Sequence, residues 1–144
     1  MNKKITATAA FLGMVAIILG AFGAHALKKV LTPEQLISFE TGVRYQMYQA
    51  FFLFFLGTQK DILEKTKKTI FTLILSGTLF FSGSIYLLAT NSLTSFDFKV
   101  IGIVTPIGGL LLIVAWSILM IQFLKKKGKF GNGSRIKAEG YLKL

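Results

Sequence analysis

Apolar residues in this chain come in long blocks rather than in the alternation of a half-buried strand. Four segments stand out, at residues 5–27, 36–58, 69–90 and 100–124. About 20 residues of helix cross a hydrocarbon layer of about 30 Å, whereas the strands of a membrane barrel need only about 10 alternating ones. The pattern therefore predicts an all-α membrane protein with four transmembrane helices. Inside the fourth block Pro106 has no N–H to offer the carbonyl of Gly102, so a kink is predicted there.

The second block is the least apolar, and its start is the best marked. Thr32, Pro33, Glu34 and Gln35 combine a capping hydroxyl, a proline at the first helical position and a glutamine at the third. Leu36, Phe39, Val43, Met47 and Ala50 then recur every three or four residues. Glu40 and Arg44 stand four apart with the acid first, the favourable order for a helical ion pair. The second helix is thus expected to open with an amphipathic, interfacial portion and to end in the apolar run "AFFLFFLG".

Composition agrees with the pattern. The chain has 144 residues, 53% of them hydrophobic and 16% charged, with a mean hydropathy of +0.62. A soluble domain has about a quarter of its residues charged. The net charge of +11 invites a nucleic-acid partner, but the basic residues cluster at block ends, where membrane insertion places them. Thirteen of the 17 Lys and Arg fall on one side of the predicted bundle, so both termini are expected in the cytoplasm of an inner-membrane, multi-pass protein. Residues 125–144 read as a basic cytoplasmic tail: a stop-transfer anchor is the favoured reading, and contact of Lys125, Lys126, Lys127 and Lys129 with anionic headgroups is the alternative. The absence of Cys removes disulfides, a thiolate nucleophile and Cys-based metal sites.

The first block has a competing interpretation. Lys3 and Lys4 precede it, and Ala24-His25-Ala26 resembles a signal-peptidase site. A secretory apolar region runs about 7–15 residues, and this one is longer. Its small residues are also spaced for packing: Ala9 with Gly13, and Ala16, Gly20 and Ala24 in steps of four. A retained first helix is expected.

Polar and small residues within the blocks fall on stripes. Thr72, Ser76, Leu79, Gly83 and Tyr86 share one face of the third helix, and Gly102, Pro106, Gly109, Ile113 and Trp116 one face of the fourth. Close helix packing is the expected use of both. His25, Glu40, Arg44, Tyr45, Gln46, Tyr48 and Gln49 form the candidate polar pocket. In one reading Arg44 forks an anion and His25 titrates; in the other, favoured one, these side chains pin the first helix to the second at the interface. A single His and a single nearby carboxylate, Glu40, leave no catalytic triad, metal site or cofactor box.

Three successive stretches, "GAFGAHALKKVLTPEQLISFETGVRYQMYQA", "FSGSIYLLA" and "TPIGGLLLIVAW", resemble the small bacterial inner-membrane family known as domain of unknown function 423, with YgdD-like members. That family is similar to the eukaryotic transmembrane protein 256 group. The resemblance covers roughly residues 5–124 and implies four membrane helices with the first retained; it implies no activity. Where the family usually has Tyr-Gln-Met-Tyr-His-Ala, this chain has Gln49 in place of the histidine, which removes a titrating group. The expected role is that of a structural or accessory protein binding lipid or membrane partners through packed helix faces, as a homo-oligomer or with another protein. The alternative is a small-solute or ion pathway built from several copies.

Overall fold

A computed structural model describes residues 1–126; residues 127–144, most of the predicted tail, lie outside the described residues. Everything described is helix or short connection, with no strand among the described residues. Helix α1 is Asn2–His25, α2 Pro33–Thr58, α3 Glu64–Thr78, α4 Ser84–Ala89 and α5 Val104–Lys126. A π turn, Leu79–Gly83, fuses α3 and α4 into one rod, Glu64–Ala89. Short 3-10 turns at Leu27–Lys29, Asn91–Leu93 and Phe98–Ile101 complete the connections.

Three of these rods are long and apolar enough to cross a membrane: Asn2–Lys29, Glu64–Ala89 and Phe98–Lys125. Helix α2 is as long, at 26 residues, but carries Glu34, Glu40 and Arg44. It begins where the sequence marks it. The N–H of Gln35 donates to Thr32 Oγ1 at 3.3 Å, and the N–H of Thr32 donates to Gln35 Oε1 at 3.0 Å, which closes a capping box.

Helices α1 and α2 pack antiparallel in a steady register. A Cβ on Gly57 would meet Thr6 at 2.6 Å, one on Gly13 would meet Ala50 at 3.8 Å, one on Gly20 Val43 at 3.5 Å and one on Gly23 Phe39 at 3.3 Å. Ala9 and Ala16 are fully buried in the same seam. The small-residue face read from the sequence is therefore a contact face, except at its end. Ala24 is exposed, and Gly23, one position earlier, lies against Phe39.

The α3–α5 crossing departs further from the expected stripes. Gly108 of α5 crosses the rod where α3 meets the π turn: a Cβ there would press on the Phe81 backbone nitrogen and lie 2.8 Å from the Phe80 carbonyl carbon and 2.9 Å from the Gly77 carbonyl oxygen. Ser76 and Gly109 sit one position to the side and are only half-buried. Hydroxyl and glycine spacing gives a helix face to within one residue, about 100° of rotation, and the partner selects the phase. Pro106 also differs from expectation. Because α5 opens at Val104, the proline stands in the first turn, where its missing N–H costs no intrahelical bond, and the predicted kink has no interior bond to break. Gly102 lies just before this helix, half-buried.

Two apolar clusters hold the rods. Ile5, Leu53, Leu56, Ile70, Ile74 and Ala115, each fully buried, join all four rods at the end holding the N-terminus. Leu27, Leu31, Phe39 and Ala89 close the other end. The outward faces of α1 and α5 remain apolar and open: Phe11 is 59% exposed, Ile17 65% and Leu110 60%. Stripes of this extent on two rods suit a surrounding of hydrocarbon rather than water.

Among the described residues one charge lies inside. Lys67 is 1% exposed and its Nζ donates to Asn2 Oδ1 at 2.9 Å, tying the start of α3 to the start of α1. Replacing Asn2 with Ala removes that acceptor while leaving the ammonium buried, and is expected to cost about 1–3 kcal/mol. Lys67→Met removes the charge and keeps the volume, so it is expected to stay within about 1 kcal/mol of the parent. Unfolding in micelles, followed by circular dichroism, separates the two; equal losses would show that the Lys67 ammonium does not need Asn2.

Candidate functional site

Of the seven residues of the predicted polar pocket, Tyr45, Tyr48 and Gln49 line one cleft, and the seven do not share a single one. Gln46 and Gln49 turn inward, 5% and 4% exposed. His25, at the last position of α1, and Glu40, Arg44, Tyr45 and Tyr48 on α2 are exposed. The expected Glu40–Arg44 ion pair is not formed. Arg44 Nη2 instead donates to Thr41 Oγ1 at 3.2 Å. Thr41 spends its own proton on the Ile37 carbonyl at 2.9 Å, which leaves its lone pairs facing the guanidinium.

The two glutamines work as cross-links. Gln46 Nε2 donates to the carbonyl of Leu12 at 2.9 Å, and Gln46 Oε1 accepts from the Tyr86 hydroxyl at 2.9 Å. One amide thus joins the middles of α1 and α2 to Tyr86, three residues from the end of the Glu64–Ala89 rod. Gly42 makes room for this contact: a Cβ there would lie 2.7 Å from the Tyr86 ring. The ring also packs on Phe39 at 5.0 Å between centroids. Gln49 Oε1 accepts from Trp116 Nε1 at 3.3 Å, linking α2 to α5, and the indole leans on Phe52 at 4.6 Å. Tyr86 and Trp116 were visible in the sequence only as members of packing stripes. Their donors, matched to the two glutamines, are the signal that a helical-wheel reading passes over.

Two clefts beside the π turn flank these bonds, and a third, about 580 Å³, is lined by Tyr48, Gln49, Phe51, Phe55, Trp116 and Leu119. The first, about 540 Å³, lies between α1 and the α3–α4 rod, with Phe11, Val15 and Leu79 as walls and Gln46, Thr78 and Tyr86 lining it. The second, about 680 Å³, lies between α2 and α5, lined by Tyr45, Phe81, Ile113 and Trp116 with Gln49 and Ser117 as polar groups. The π turn serves both: Leu79 and Gly83 border the first cleft and Phe81 the second. Near its far end Ser84 Oγ meets Thr105 Oγ1 at 2.6 Å, fastening α4 to the start of α5. Among the described residues, no His, Asp, Glu, Lys or Arg lines these clefts. Their amide groups are already hydrogen-bonded across helices, so the walls offer shape and apolar surface rather than acid–base chemistry. Among the described residues no group of three His, Cys, Asp or Glu is placed to hold a metal ion.

Residues 19–109 match the family described as Protein of unknown function (DUF423). The chain is 36% identical over 115 residues to the UPF0382 membrane protein SAB0533 of Staphylococcus aureus (strain bovine RF122 / ET3-1), which covers 80% of this chain and 90% of that one. It is 33% identical over 114 residues to the UPF0382 membrane protein YwdK of Bacillus subtilis (strain 168), covering 78% and 89%. It is 31% identical over 124 residues to the UPF0382 inner membrane protein YgdD of Escherichia coli (strain K12), covering 84% and 89%. No solved structure matches. Both ends of the Gln46–Tyr86 bond fall within the matched stretch, whereas Trp116 lies beyond it.

Proposed function

The chain belongs to the DUF423 family of membrane proteins, and from that premise we propose that it is a four-span accessory protein, which binds lipid or a membrane partner along its helix faces. The observation that carries this reading is the fate of the two buried glutamines. Gln46 and Gln49, together with Tyr86 and Trp116, are committed to bonds between helices, and the clefts beside them are apolar. Such a bundle offers a rigid, shaped surface to acyl chains or to a neighbouring helix. A pathway for ions would instead call for unspent polar groups along its length.

Helix α2 supplies the fourth span in this reading. It starts beside the end of α1 and finishes beside its beginning, with Phe39 against Gly23 and Gly57 against Thr6, which supports its crossing the same slab as the uncharged run 5–27. The Lys and Arg distribution supports cytoplasmic termini in the inner membrane.

A chain without cysteine makes the topology simple to test. Val30→Cys is expected to react with a membrane-impermeant thiol reagent in intact cells, and Lys60→Cys only after the cells are opened. Reaction of Lys60→Cys from outside would remove α2 from the membrane. Native mass spectrometry from gently extracted membranes is then expected to find full-length chains with retained phospholipid or a stoichiometric membrane protein. Solute flux into proteoliposomes above that of empty vesicles, with neither passenger retained, would overturn the accessory role.

A further inference from the structure

Among the described residues one face of α2 is largely uncovered, although Phe55 meets Phe123 of α5 at 5.9 Å between ring centroids and Tyr48, Phe51 and Phe55 border a cleft with Trp116 and Leu119. Ile37, Arg44, Tyr48, Phe51 and Phe55 recur at spacings of seven, four, three and four and are all exposed, with Thr41 half-buried in the same stripe and Glu40 exposed beside it. This is the repeat of a helix that packs on another helix along a seam. Its depth is set by α1. Val43 sits against Gly20 and Phe39 against Gly23, so Arg44 lies abreast of Leu19, and Glu40 abreast of Phe22 and Gly23, within the uncharged run 5–27. A guanidinium and a carboxylate facing lipid at that depth are costly, and side chains of this kind ordinarily face protein. Within the chain they do not neutralise each other, because Arg44 is turned to Thr41.

We propose that this face is covered by a second copy of the chain, α2 against α2, with Arg44 of each copy paired to Glu40 of the other. The stripe is complementary to itself. A two-fold axis along the membrane normal brings equal depths together, and the two residues differ by four positions, about 6 Å along the helix, within the reach of an arginine side chain. Both pairs form at once, and the exposed rings of Tyr48, Phe51 and Phe55 pack between them. The proposal rests on the reading that α2 spans the membrane, and it names the partner left open there.

Cysteine cross-linking in native membranes tests it with the full chain. Tyr48→Cys lies on the seam, while Ile17→Cys, 65% exposed on the outer face of α1, is the control. Oxidation is expected to give a disulfide-linked dimer of the first at about ten times or more the yield of the second, since only contact within a few ångströms allows the bond. In the Tyr48→Cys background, Arg44→Glu and Glu40→Arg are each expected to lower the yield about fivefold or more, and the two together to restore it to within about twofold, as a direct pair requires. The wild-type chain, extracted within a patch of its own bilayer, is expected to weigh as two copies. Equal cross-linking at both sites, reversals without effect, a double variant that is not restored, a single-copy mass, or a complex with a different protein in place of the dimer would each overturn the proposal. A single-copy mass with Lys60→Cys shielded in intact cells sinks the dimer alone, whereas Lys60→Cys labelled from outside sinks the span on which it rests.

Discussion

Gly108→Ala is expected to be among the most damaging single-methyl changes in this protein. The added Cβ would press on the backbone nitrogen of Phe81 and lie 2.8 Å from the Phe80 carbonyl carbon and 2.9 Å from the Gly77 oxygen. None of these atoms belongs to a side chain that can swing aside, so α5 must move off the α3–α4 rod along its length. Overpacking of this kind costs about 1–3 kcal/mol, and a backbone-on-backbone clash belongs at the top of that range. Gly109→Ala is the comparison. Its Cβ would meet only the Phe81 ring, at 3.5 Å, in ordinary contact. With helix propensity added in its favour, it is expected to change stability by less than about 1 kcal/mol in either direction. Thermal or detergent-induced unfolding followed by circular dichroism reads both. Equal losses at 108 and 109 would mean that the α3–α5 crossing is centred elsewhere.

Gln46→Leu carries the second large effect. The substitution keeps the side-chain bulk but strands the Tyr86 hydroxyl and removes the one side-chain hydrogen bond found between α1 and α2 among the described residues. A hydrogen bond between membrane helices is worth about 0.6–2 kcal/mol, and two are lost here, so a cost of about 1–3 kcal/mol is expected. Tyr86→Phe removes one of the two and is expected to cost roughly half as much. Once Gln46 is gone, Tyr86→Phe should cost less, because the hydroxyl has already lost its acceptor. A coupling of about 0.5–1.5 kcal/mol in the double-mutant cycle is therefore expected. Additive losses would mean that the two side chains do not share the bond.

The parts of this fold that rest on short-range physics were legible in advance. The start of α2 needs only Thr32 and Gln35, whose hydrogen bonds close within four residues. The small face of α1 was legible because a glycine or alanine every fourth residue admits a neighbouring backbone whatever that neighbour is. The proline was misplaced for an equally local reason. Its effect depends on where the helix begins, and the 3-10 turn Phe98–Ile101 delays α5 until Val104.

The candidate site was legible in its residues and not in its arrangement. Gln46 and Gln49 were named with Arg44, Tyr45 and Tyr48, yet they take opposite roles. A rotation of about 200° around a helix separates Arg44 from Gln46, and nothing in α2 alone says which of them faces inward. The donors that settle it, Tyr86 and Trp116, stand 40 and 67 residues further along.

By itself, then, the sequence determined the class, the family, the apolar blocks and the local signals that begin α2 and line α1 with small residues. Block length, hydropathy and nearest-neighbour hydrogen bonds act over a few residues and leave their mark wherever the chain goes. Only the tertiary structure decided that Gly108 crosses the rod between Gly77 and Phe81, that a π turn joins α3 to α4, that two glutamines fasten the rods together, and that Glu40 and Arg44 stay apart on an open face. Each of those depends on the rotation of one helix against another. That rotation is set by packing and hydrogen-bond partners distant in the chain, to which the pattern along any single helix is blind.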